Sequence, residues 1–92
     1  MKQTDPIFIA EFENGHQTCT AVFCPSDKLD PARGLLLARK AFERLMGRPP
    51  PFPIVRARFE FNEVVLANYD RAAIAALDAD PQAEWKARQR IP

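Results

Sequence analysis

Few residues in this chain have types and spacing that could do chemistry. The single histidine is His16, the two cysteines are Cys19 and Cys24, and the chain's serine is Ser26. A Ser–His or Cys–His nucleophile would have to use His16, and the strand pairing argued below sets neither Ser26 nor Cys19 beside it. Glu13 opposite His16 has the groups of an acid–base pair, but a turn-flanking histidine beside a carboxylate reads first as an exposed cross-strand contact. In an extended strand Cys19 and Cys24 point to opposite faces about 16 Å apart, too far to bridge. His16 faces away from Cys19, so these groups do not converge on zinc either.

Asp70, Asp78 and Asp80 lack the spacing of a calcium loop, and Asp70 and Asp80 are better used as helix caps. Gly15, Gly34 and Gly47 are scattered, which excludes a phosphate-cradling loop. Gly15 and Gly47 suit a turn and a helix end, whereas Gly34 has no evident reason to be there. The expectation is therefore a chain without catalytic residues, cofactor or metal site, and not an enzyme.

The element that organises the chain is a helix over 31–46. Asp30 caps it, Pro31 fits its first position, and Gly47 suits a left-handed stop. Helical spacing puts Leu35, Ala38, Ala41, Phe42, Leu45 and Met46 on one side, with Arg33, Lys40, Glu43 and Arg44 on the other.

Before it, residues 7–23 read as a hairpin turning at Asn14-Gly15. A two-residue type I′ loop there pairs Phe12 with Gln17, Ala10 with Cys19 and Phe8 with Ala21. That register gives one face Phe8, Ala10, Phe12, Cys19, Ala21 and Phe23, and the other Ile7, Ile9, Glu11, Glu13, His16, Thr18, Thr20 and Val22. Cys24 to Lys28 is a loop into the helix.

After the helix, Arg48 to Pro53 forms a stiff proline connector. From Ile54 a strand alternates, with Val55, Ala57, Phe59 and Phe61 on one side and Ile54, Arg56, Arg58 and Glu60 on the other. Asn62-Glu63 reads as a turn into a second strand, Val64 to Tyr69, although a helix starting at Asn62 competes with it. Asp70 then caps a short Ala-rich helix over 71–78, and Asp80-Pro81 opens a last one over about 81–90.

Together these signals predict a single α+β domain over 1–92, with residues 79–92 as a C-terminal helical extension. Its order is ββα-ββα, giving a four-stranded antiparallel sheet with the two main helices on one face. No apolar run approaches the roughly 18 residues of a membrane span, and the N-terminus lacks a secretory apolar segment, so the expected location is the cytoplasm.

The functional reading rests on surfaces. Ile7, Ile9, Val22, Ile54, Val65, Ala67 and Tyr69 are expected on the sheet face away from the main helices, too apolar a set for full solvation. Trp85 of the last helix either covers part of that face or docks on a partner. This favours a non-catalytic protein-binding module, a homodimer or a small adaptor or inhibitor acting on another protein. The alternative is nucleic-acid binding through the basic middle: Arg33, Arg39, Lys40 and Arg44 on the helix, Arg48 in the connector, and Arg56 and Arg58 on the strand. Net charge is only +1, so that alternative depends on where these groups lie rather than on the total.

Overall fold

The computed structural model describes residues 5–23 and 29–79. Two hairpins lie side by side: β1 (Ile7–Phe12) with β2 (Gln17–Ala21), and β3 (Ile54–Phe61) with β4 (Val64–Tyr69). Each hairpin is followed by a helix, α1 (Pro31–Met46) and α2 (Arg71–Ala79). The sheet order is β2-β1-β3-β4 with every neighbour antiparallel, so the first strand of each hairpin is internal and the second is an edge. This is the expected ββα-ββα arrangement. The expected last helix with Trp85, and the expected loop holding Cys24 and Ser26, fall outside the described residues.

The signals bracketing α1 act as read. The Asp30 carboxylate accepts the Arg33 N–H at 3.2 Å, and Gly47 closes the helix at φ 75° with its N–H donated to the Glu43 carbonyl. Leu35, Ala38 and Phe42 are buried against the sheet. Leu45 and Met46, expected on the same buried side, are 70% and 48% exposed. The reason is reach: Phe42 already packs on Phe12 and His16 beside the β1–β2 turn, so the last helical turn overshoots the sheet. Gly34 also finds its reason, because a Cβ built there would stand 2.5 Å from the Phe8 ring. The helix lies so close to β1 at this point that only glycine fits without displacement.

Three registers differ from expectation, and each changes which side chains are available for function. The first turn holds three residues: Gly15 alone is left-handed at φ 92°, its N–H reaches the Phe12 carbonyl, and Phe12 donates to His16 O at 2.8 Å. The Asn14 Oδ1 accepts the His16 N–H at 3.0 Å and holds this form. Phe8 therefore faces Thr20 and Ala10 faces Thr18, a slip of one residue that turns all of β2 over. Val22 and Thr18 enter the core, while Cys19, Ala21 and Phe23 come out.

In β3, Glu11 pairs with Arg56 but Phe12 pairs with Ile54, leaving Val55 as the extra residue of a bulge. Ile54 is thereby buried beneath the helices instead of lying on the far face. In β4, Phe59 pairs with Ala67 but Glu60 pairs with Val65, so Leu66 is extra and Ala67 and Tyr69 cross to the helix side. The Tyr69 ring stands edge-on to Phe59 at 6.3 Å.

The core thus closes around Phe8, Phe12, Phe42 and Phe59, with Val22, Leu35, Ile54 and Ile74 completing it. Removing one such phenylalanine side chain costs about 3–5 kcal/mol, which makes these rings the main determinant of the sheet-to-helix packing. Asp70 caps α2 by accepting the Ala73 N–H at 3.0 Å, and Arg39 meets Asp78 at 2.6 Å to tie α2 to α1.

Candidate docking surface

Cross-strand pairing arranges the open sheet face in rows. Ala21, Ile7, Glu60 and Val65 form one row; Cys19, Ile9, Arg58 and Asn68 form the next; Gln17, Glu11 and Arg56 form the third. The first row is mostly apolar and continues by strand alternation to Phe23, which is 62% exposed. Ile7 and Val65 are 38% and 46% exposed. The other rows are polar and mixed in sign, with Arg58 engaged by Glu60 and Arg56 registered opposite Glu11.

Of the residues expected to form an interface, Ile7, Ile9 and Val65 share this face. Val22 does not: the β2 slip buries it completely in the core. Tyr69 does not either, because the bulge at Leu66 turns it to the helix side. Trp85 lies outside the described residues.

Sequence reasoning missed Val64 and Leu66, which are 60% and 48% exposed and make β4 apolar on both sides of Val65. The available signal was the uncharged run Val-Val-Leu-Ala-Asn-Tyr in a strand that proves to be an edge. At the opposite end of β4 an open groove of about 560 Å³ is lined by Val55, Arg56, Asn68, Tyr69, Asp70 and Arg71. Arg71 also reaches Glu13 at 3.2 Å, a contact between exposed side chains.

The proposed chemical groups do not converge. Glu13 is engaged by Arg71, and the His16 ring packs instead on Phe12 and, at 5.2 Å between centroids, on Phe42. His16 is therefore a half-buried packing residue on the helix side, not an exposed partner of Glu13. Its Nε2 and the Thr18 and Thr20 hydroxyls are enclosed without a hydrogen-bond partner among the described residues. No group of three or more His, Cys, Asp or Glu among the described residues is placed to hold a metal ion.

The basic residues divide between two faces. Arg33, Lys40 and Arg44 are exposed along the outer side of α1, with Arg48 just beyond it, while Arg39 is held by Asp78. Arg56 and Arg58 lie on the open sheet face, across the core from α1. The guanidinium of Arg39 holds the Asp78 carboxyl below its ordinary range, chiefly through their hydrogen bond. No helix among the described residues is long and apolar enough to cross a membrane.

No protein-family model, curated protein or solved structure matches the chain.

Proposed function

We propose that this protein is a non-catalytic protein-binding module that associates through the exposed apolar surface around Val65, with a second copy of the chain as partner. The observation that carries this reading is the exposure of Val64, Val65 and Leu66 together on the edge strand β4. Burying such a strip recovers about 25 cal/mol per Å² of apolar area, whereas leaving it in water recovers nothing. A second copy is always present at the chain's own concentration, and a twofold contact lets one patch serve both partners. Among the described residues the basic groups are divided between two faces, which offers nucleic acid no comparable single surface there.

Light scattering over a concentration series tests the reading. The wild type is expected to dimerise, and Val65→Glu to stay monomeric while circular dichroism shows it folded. A wild type that remains monomeric throughout the series would remove the self-association reading.

A further inference from the structure

The two edges of the sheet are covered differently. Over β2, α1 buries Thr18 on the helix side, with Val22 just beyond the strand. Over β4, α2 starts at the Tyr69 end and has only nine residues. Nine helical residues rise about 14 Å, but the six strand residues of β4 extend about 20 Å. The helix therefore covers Ala67 and Tyr69 and stops short of Val64. β4 also carries no charge and no proline, the usual guards of a strand edge.

The turn leading into this edge is strained. Asn62 and Glu63 have φ of 48° and 67°, so both central residues are left-handed. Asparagine tolerates that conformation, but glutamate has no local compensation, and glycine would fit the position without steric cost. A conformational penalty kept at an exposed tip calls for something that the side chain does there. At the other end of the same strand, Arg56 and Arg71 line the groove together with Asp70, whose carboxylate accepts the Ala73 N–H. Antiparallel pairing of β4 with itself about a twofold axis brings each Glu63 tip towards that groove on the other copy.

We infer that two copies join edge to edge along β4, antiparallel, with Glu63 of each copy held by the partner's Arg56 and Arg71. This rests on the self-association reading above and names its geometry. The bulge at Leu66 keeps the regular seam short, and the reciprocal contacts between tip and groove supply the rest of the interface. The exposed Arg71 side chain can meet a second carboxylate besides Glu13, since a guanidinium offers several donors. The pairing also continues the sheet from one copy into the other, leaving Ile7, Ala21 and Phe23 outside the seam.

Sedimentation velocity on the full chain separates the edge from the face. Leu66→Lys is expected to abolish the dimer, and Ile7→Lys, which places its ammonium beside Glu60, to leave it intact. Glu63→Gly should raise the melting temperature of the monomer yet weaken dimerisation by about fivefold to tenfold, opposite changes that no simple folding defect produces. Glu63→Arg and Arg71→Glu should each weaken the dimer and, combined, restore it. A dimer that survives Leu66→Lys overturns the edge geometry while keeping self-association; a wild type that is monomeric overturns both.

Discussion

The two hairpins follow opposite rules at their turns. Asn14-Gly15 is the strongest short sequence signal for a two-residue loop with both central residues left-handed, yet it forms a three-residue loop in which only Gly15 is left-handed. Asn62-Glu63 is a poor signal for such a loop and adopts it in full. The difference lies in what each register buries. In the first hairpin the slip replaces Cys19 and Ala21 under α1 with Thr18 and Val22, letting Phe23 point outwards from the covered side. In the second, Phe59 must stay on the helix side, and the bulge at Leu66 absorbs the mismatch further along β4. Local turn preference amounts to about 1 kcal/mol, whereas placing one large apolar side chain in or out of the core is worth about 1.5–3 kcal/mol. Packing decides the register in both hairpins.

The sharpest way to break this account is to place a charge at neighbouring positions of β2 and its extension. Val22→Lys puts an ammonium at a fully buried site and is expected to cost at least about 3 kcal/mol, enough to unfold a marginal domain. Phe23→Lys changes a residue that is 62% exposed and should alter stability by no more than about 0.5 kcal/mol. Urea denaturation of the two variants reads the register directly. The two-residue loop would reverse their order, so a severe Phe23→Lys beside a mild Val22→Lys would refute the slip.

The same balance explains what is legible in the sequence. The α1 boundaries were legible because Asp30, Pro31 and Gly47 act on their own backbone neighbourhood, where no distant contact competes. The existence and order of all four strands were legible from alternation and turn residues. The faces were not, because one inserted residue at Glu13-Asn14-Gly15, Val55 or Leu66 inverts everything beyond it, and those insertions answer to the whole core. The candidate surface inherited these errors. Ile7, Ile9 and Val65 lie where expected, Val22 and Tyr69 do not, and Leu66 was missed because its exposure depends on β4 being an edge. Gly34 was opaque for a similar reason: its partner is Phe8, distant in sequence and adjacent only after α1 docks.

Single substitutions at the two turns offer a smaller but sharper contrast. Gly15→Ala puts a Cβ on a residue at φ 92° and should destabilise by about 1–2 kcal/mol, although the space around it is open. Glu63→Gly should stabilise by about 1 kcal/mol through relief of the left-handed conformation. Thermal unfolding at a concentration where the chain is monomeric reads both. If Glu63→Gly lowered the melting temperature, the turn would not be strained, and the contrast between the hairpins would rest on register alone.

The smallest expected effect concerns an ion pair that adds to the β1–β3 pairing between the two halves. Arg39 follows the first hairpin and Asp78 the second, so their 2.6 Å contact is an ion pair between the two ββα units. The arginine lowers the Asp78 carboxyl from its ordinary value of 3.8, mainly by donating a hydrogen bond to its charged form. A depressed carboxyl favours the folded state above its unfolded value. That contribution is therefore fully present near neutrality and declines as pH falls below about 3.8 and through the lower folded value. Both side chains are more than a third exposed, so solvent screening limits the pair to about 0.3–0.5 kcal/mol. In a double-mutant cycle with Arg39→Gln and Asp78→Asn, the coupling should have this size at pH 7 and vanish in strong acid. Coupling that stayed constant across the acid range would mean that packing of α2 on α1, rather than the ion pair, couples Arg39 to Asp78.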